Sequence, residues 1–347
     1  MNRCSLTVRH NFSTGLNIRA RSPVIFDTDP AQSDRSRDAL TAAHLYYIQD
    51  LTMDAIAQEL HTSRSSVSRL LSHARETGLV DIQIKSPLDA PSQLEQQIEA
   101  RFQITAHVVP VPDSASDVDR LERVALSVAR ILGQYFDSNM TMGIAWGSTM
   151  NVISRHITPK QTHNSQIVQL NGAGNMRTTG LGYASEILGR FGTAFGAHVQ
   201  QFPVPAFFDD PATKHALWRE RSVSRLLEMQ AIMDIALFGL GSPFSGVVSR
   251  VYAGGYLEQA EFDALGAAGV VGDVATVFYR ADGSADGIAL NERSTGPDFT
   301  VLRRTPRRIC VVAGRSKLAS LRGALAASLI TDLFVDESTA RALVEAP

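Results

Sequence analysis

Four short stretches carry the residue types that could hold a small, anionic, hydroxyl-rich molecule. They are Trp146-Gly147-Ser148-Thr149, the run LNGAGN at 170–175 with Asn171 and Gly172, FGLGSPFSG at 238–246 with Gly239, Gly241 and Ser242, and VVAGRSK at 311–317, which ends in Lys317. Each follows an apolar run that reads as a strand. Glycines there let backbone amides approach a ligand, hydroxyls donate and accept, and the start of a following helix favours negative charge. Lys317 falls at a predicted helix start, where the macrodipole disfavours a cation unless an anion lies beside it. One glycine after a strand is ordinary turn chemistry. Four such loops together point to a ligand typified by a sugar phosphate.

Other chemistries find less support. Gly172 and Gly174 lack the third glycine of a dinucleotide fingerprint, and no GxxxxGK[ST] occurs, so no nucleotide cofactor is expected. His156 and His163 have no third ligand near them in sequence, which argues against a metal site. Proton transfer on a sugar needs a placed carboxylate or histidine. Only Asp273, Asp336 and Glu337 can be nominated, and they form no constellation, so no catalytic residue is assigned. Asp336-Glu337, after the last predicted strand, could bind sugar hydroxyls, although capping the terminal helix is the default for Asp336.

A second cluster has a different character. In LTMDAIAQELHTSRSSVSRLLSHARETGLV (51–80), Thr52 can cap one short helix bearing Ile56, Ala57 and Leu60. Ser63 can cap a second, whose Val67, Leu70 and Leu71 form a buried stripe. Arg64, Ser65, Ser68, Arg69 and Ser72 are left facing outward. Arginine can donate two parallel hydrogen bonds to guanine, and serine hydroxyls can grip phosphate oxygens. With Thr52, Ser63 and Ser66 at the helix starts, this set is the predicted contact surface for double-stranded operator DNA. An upstream helix (39–47), a stop at Gly78 and the alternating LVDIQI (79–84) extend the pattern to a winged helix-turn-helix.

These clusters need elements to position them. A chain of 347 residues, 44% hydrophobic and 20% charged, is globular and long for a single core. Its formal net charge of −2 leaves room for a small basic module on a larger acidic domain. Cys4 and Cys310 are too few for a disulfide framework. No apolar run approaches the length that spans a bilayer, and no export signal is evident, so a cytoplasmic location without a membrane is expected. Residues 1–35 read as a flexible tail, 36–85 as the winged helix, 86–93 as a linker with two prolines, and 94–347 as a second domain. There, strands (AHVVPV, TMGIAW, SQIVQL, IMDIALFGLG, RRICVVAG, LFVDE) alternate with helices. Such βα units predict an α/β fold with an open, mostly parallel sheet.

From about Ala39 to the C-terminus the chain resembles the SorC-type sugar-binding transcriptional regulators of bacteria. The resemblance rests on motifs in order: LYYIQDLTMDAIAQEL, SRSSVSRLLSHARETGLV, GIAWGSTM, IVQLNGAG, FPVPAFF, MDIALFGLGS, GVVGDVATVFYRADG, VVAGRSK and FVDESTA. It implies a Rossmann-like effector domain similar in fold to ribose-phosphate isomerase and glucosamine-phosphate deaminase, serving binding, not catalysis. It implies that Trp146 to Thr149, Asn171-Gly172, Gly239 to Ser242, Asp273 and Lys317 surround the sugar or its phosphate, and that the protein works as a homodimer or homotetramer. His61 stands where the family's turn usually has glycine, Ala313 replaces the first glycine of AGGxxK, and Val335 replaces a threonine. The rival expectation is an isomerase- or deaminase-like enzyme that gained a DNA-binding module.

Overall fold

The computed structural model describes residues 30–49, 51–77, 79–80, 92–243 and 249–345. They fall into two compact units, dividing at Asp89 and Ala90. Gly78, most of the expected wing, all but the end of the expected linker, and residues 1–29 of the expected tail lie outside the described residues.

The first unit holds α1 (Pro30–Tyr47), α2 (Met53–Glu59) and α3 (Arg64–Glu76). Thr52 Oγ1 accepts from the Ala55 amide (3.2 Å) and Ser63 Oγ from the Ser66 amide (3.1 Å), so both anticipated caps form. Ala39, Ala42, Ala43 and Leu45 pack on Ile56, Ala57, Val67, Leu71 and Ala74. Leu60 and Leu70 border that core, half-buried. The short connection between α2 and α3 passes through His61 at φ +49°, a left-handed conformation unusual for a side chain of that size. The first helix reaches back to Pro30, so residues 30–35 of the expected tail are helical.

The second unit is a seven-stranded sheet flanked by helices. In chain order it runs α4 (Gln93–Phe102), β1 (Thr105–Val109), α5 (Asp117–Tyr135), β2 (Thr141–Ile144), α6 (Ser148–Arg155), β3 (Gln166–Gln169), α7 (Leu181–Phe195) and β4 (His198–Gln200). Then come α8 (Pro211–Trp218), α9 (Arg221–Ala231), β5 (Ile235–Gly239), α10 (Arg250–Ala253), α11 (Gln259–Ala267), β6 (Val270–Val274) and β7 (Val277–Arg280). The chain closes with α12 (Ala289–Arg293), α13 (Phe299–Arg304), β8 (Arg307–Val312), a 3-10 turn at Arg315–Lys317, α14 (Leu318–Ala326), β9 (Asp332–Asp336) and α15 (Glu337–Glu345).

The sheet order is β1-β9-β8-β5-β2-β3-β4, and every pairing in it is parallel. Side chains alternate across it with a period of two. Met142, Ile144, Ile235, Leu237, Ile309 and Val311 face α5, α6 and α7, whereas Ala236, Phe238, Cys310 and Val312 face α4, α13, α14 and α15. Both faces are covered, which is why these strands read as continuous apolar runs. From β2 the chain moves outward to β3 and β4, then returns to lay β5 on the other side of β2. The resulting switch point between β2 and β5 leaves a crevice beyond their carboxyl ends.

The hairpin β6–β7 stands apart from this sheet. Its two-residue turn places Ala275 at φ +46° and Thr276 at φ +70°. Such turns normally carry glycine or asparagine, and a β-branched residue there is strained.

Candidate functional site

Above the switch point lies a cavity of about 50 Å³. Its lining includes Trp146, Gly147, Ser148, Thr149, Asn171, Gly239, Gly241, Asp273 and Lys317. Residues from four strand ends and the hairpin, up to 171 positions apart between Trp146 and Lys317, thus meet in one place.

The wall after β2 is fixed by its tryptophan. Trp146 Nε1 donates to the Gly172 carbonyl (2.7 Å), and its indole stacks on Tyr256 with ring centroids 5.0 Å apart. Gly147, at φ +147°, then turns the chain into α6 in a conformation that favours glycine. Across the cavity, Gly241 exchanges backbone hydrogen bonds with Asp273 (2.9 and 3.3 Å). A Cβ on Gly241 would sit 1.7 Å from Asp273 Oδ1, so only glycine admits the carboxylate.

Lys317 and Asp273 are both buried here. Lys317 Nζ donates to the Leu240 carbonyl (2.9 Å). Burial lowers its pKa, opposed by Asp273, Cys310 and Asp117. Burial likewise pushes Asp273 up to about 6, opposed by Tyr252, the Thr276 amide and Lys317. The shifts run in opposite directions because a dry surrounding penalises the charged form of either group. Asp273 Oδ2 accepts from the Thr276 amide (3.2 Å), but Oδ1 is buried without a hydrogen-bond partner, as is Asn171 Oδ1. The Tyr252 hydroxyl is near enough to influence Asp273, yet it too completes no hydrogen bond. A buried polar atom left unpaired costs about 1–3 kcal/mol. Both residues line the cavity, so a ligand that presents hydroxyl or amine donors suits it, with the lysine offering charge for an anionic group.

Not every residue singled out from the sequence reaches the cavity. Gly172 lies behind Trp146, its amide donating to Thr295 Oγ1 (3.0 Å), and Ser242 is buried beyond the lining. Asp336 and Glu337 are outside it as well. Asp336 is fully buried and engaged by Arg120, Ser338, Thr339 and the Gly314 amide, while Glu337 pairs with Arg341 on α15. A carboxylate with its acceptors filled has nothing to offer a sugar hydroxyl. Conversely, Ser249 and Arg250 line the cavity although no pattern in the sequence marks them, as does Thr276, which the sequence places only within the motif around Asp273. Among the described residues no group of three or more histidine, cysteine, aspartate or glutamate side chains could hold a metal ion, and His156 instead pairs with Glu122 (2.5 Å).

In the first unit, Arg64, Ser65, Ser68 and Arg69 lie exposed on α3. Arg64 is 3.7 Å from Asp54, and Arg69 Nε donates to the Ser65 carbonyl (3.3 Å). Ser66 and Ser72 are only half-exposed, and Ser66 Oγ is shared with Ser63 and Arg69. Thr52 and Ser63 spend their oxygens on the caps.

A doubly wound domain with a polar cavity at its switch point, preceded by a small three-helix unit, defines a ligand-binding protein with a separate helical module. The chain belongs to the Sugar-bind family, a sugar-binding domain whose family model matches residues 86–345, and to the SorC-type sugar-binding transcriptional regulators. It is 33% identical over 316 residues to the deoxyribonucleoside regulator of Bacillus subtilis (strain 168), covering 90% of this chain and 99% of that one. The full-length sorbitol operon regulator SorC of Klebsiella pneumoniae superposes with a TM-score of 0.66 at 25% identity, covering 90% of this chain and 100% of that one. A crystallised domain of a "possible sugar-binding transcriptional regulator" from Arthrobacter aurescens TC1 gives 0.69 at 56% identity, covering 75% of this chain and 100% of that domain.

Proposed function

We propose that this protein regulates transcription by binding operator DNA through α2 and α3, with its grip set by a sugar, polyol or sugar phosphate in the cavity of the α/β domain. The observation that carries the effector half is the pair of unpartnered buried acceptors, Asn171 Oδ1 and Asp273 Oδ1, in the cavity that also holds Lys317. The operator half is supported by the regulator relatives and by the arginine and serine face of α3. In this reading residues 36–85 form a winged helix-turn-helix, residues 94–347 sense and oligomerise, the chain acts as a cytoplasmic homodimer or homotetramer, and it needs no cofactor.

The size of the cavity fits a sensor. About 50 Å³ is well below the roughly 300–1,000 Å³ of sites that enclose organic ligands. An effector can shift an equilibrium only through a difference in its affinity for two states, so in this reading it binds one state of the cavity more tightly. A sugar-isomerising or deaminating activity keeps one argument in its favour, because a carboxyl group titrating near 6 beside a lysine suits acid–base chemistry. The relatives are regulators, and among the described lining residues no second acid or base faces Asp273 except Lys317.

A thermal-shift screen of free and phosphorylated pentoses and hexoses tests the effector assignment. A true effector at a hundred times its Kd adds about 2.7 kcal/mol of stability. Lys317→Ala should then reduce affinity for the phosphorylated hit by one to two decades, since a charge-assisted contact is worth about 1.5–3 kcal/mol. Affinity for the neutral parent sugar should fall less. Equal losses in calorimetry would remove Lys317 from an anion site.

A further inference from the structure

The role of Asp336 follows from where its donors come from. Its Oδ2 accepts from the Gly314 amide (2.8 Å) and from Thr339 Oγ1 (2.6 Å). Its Oδ1 accepts from Arg120 Nη1 (3.2 Å), Ser338 Oγ (2.7 Å) and the Thr339 amide (3.2 Å). Gly314 opens the turn that carries Lys317 into the cavity, whereas Ser338 and Thr339 belong to the first turn of α15. We propose that Asp336 is a positioning residue for Lys317: its carboxylate ties the Gly314–Lys317 turn to the start of α15, so that the cavity's cation and that helix are held as one unit.

Three further features favour this role over a cap alone. Serine and threonine on α15 would satisfy a capping carboxylate by themselves, yet Gly314 joins them from another strand end. Arg120, itself buried, supplies a counter-charge and is braced by the Pro112, Asp113 and Ala115 carbonyls, so the carboxylate cannot swing away from the turn. Finally, α15 packs on α4, and Arg101 Nη1 of α4 donates to the Val344 carbonyl (3.0 Å). Because α4 is the first helix after the segment joining the two units, Asp336 stands on a bonded route from the Lys317 turn to the side of the domain where the chain arrives. This deepens the effector reading, but the link between Asp336 and Lys317 can be tested without any effector.

The chain has lysine only at positions 85, 160, 214 and 317, so 13Cε-lysine NMR can follow Lys317 alone, with Lys160 and Lys214 as internal controls. Asp336→Asn exchanges one acceptor oxygen for a donor and leaves either the Gly314 amide or the α15 donors unsatisfied. In the folded variant, the Lys317 titration should move upward toward that of an exposed lysine as the turn loosens, and the Gly314 amide should exchange at least tenfold faster. The control lysines should not move. Thr339→Val, which removes one hydroxyl and keeps the shape, should shift Lys317 in the same direction by less, and it carries the test if Asp336→Asn does not fold. An unchanged Lys317 titration in a folded variant overturns the proposal. If Lys317 responds but no sugar phosphate binds the wild type, the positioning role stands and the effector assignment falls.

Discussion

Asp273 shows how one residue can combine legible and illegible properties. Family resemblance pointed to it, but its depth, its bare Oδ1 and its contact with Gly241 come from a hairpin that no glycine or asparagine announces. Trp146, Ser148, Thr149 and Lys317 were easier, because loops at strand ends have few places to go. Asp336 takes its default role of capping α15, but the sequence cannot show that a glycine amide from the turn after β8 and an arginine from α5 also fill its oxygens. The raised pKa of Asp273 has a consequence for stability. Between about pH 4 and 6 the folded chain binds more protons at this site than the unfolded chain, so the site's contribution falls as pH rises through that window, by up to about 3 kcal/mol. Asp273→Asn should abolish that component. Urea denaturation of wild type and variant across this range checks it, and a difference between them that does not vary with pH would refute it.

At the scale of elements, the strands buried on both faces were the most readable and the short edge pieces the least. QIVQ, IALFG and RRICVV declare themselves by apolar content, whereas β4 is three residues long and β6–β7 uses Ala275-Thr276 where a turn signal should be. The prolines of 86–93 read as a linker running straight into the domain, although Ser92 and Glu95 form a capping box for α4 that the spacing S-x-x-E advertises. That helix also guards the sheet. The edge strand β1 pairs only with β9, and its outward amides at Ala106 and Val108 donate to Glu99 Oε1 (3.2 Å) and Glu95 Oε1 (2.8 Å). An unguarded edge invites pairing with another chain. Replacing both glutamates by alanine should raise exchange of these two amides at least tenfold, cost roughly 1–3 kcal/mol and promote concentration-dependent association. Their glutamine counterparts, which retain an acceptor, should be milder. Hydrogen exchange and sedimentation velocity measure both effects, and protected amides in the alanine variant would show that α4 does not guard the edge.

Across the whole molecule, a net charge of −2 says little about where a polyanion could bind, because what counts is the local arrangement of charge. A protein that grips phosphates needs local positive charge, and α3 supplies Arg64 and Arg69 on an exposed face although residues 36–85 as a whole carry five lysines and arginines against six acidic residues. His61 at φ +49° gives the turn between α2 and α3 a left-handed step without glycine. The arginines are held lightly: Arg64 by one distant carboxylate and Arg69 by a carbonyl and a hydroxyl of its own helix. Such contacts between exposed groups are worth little and are readily exchanged for base or phosphate oxygens. Arg64→Ala and Arg69→Ala should therefore leave thermal stability nearly unchanged. Each should weaken specific operator binding by about 1–3 kcal/mol per lost base contact, while a residue reaching only phosphate should weaken all sequences alike and flatten the salt dependence. Anisotropy titrations on operator and scrambled duplexes over a series of salt concentrations separate the two cases. Operator affinity unchanged in both variants would take α3 out of the major groove, and would leave the arginine face of this unit as a protein contact.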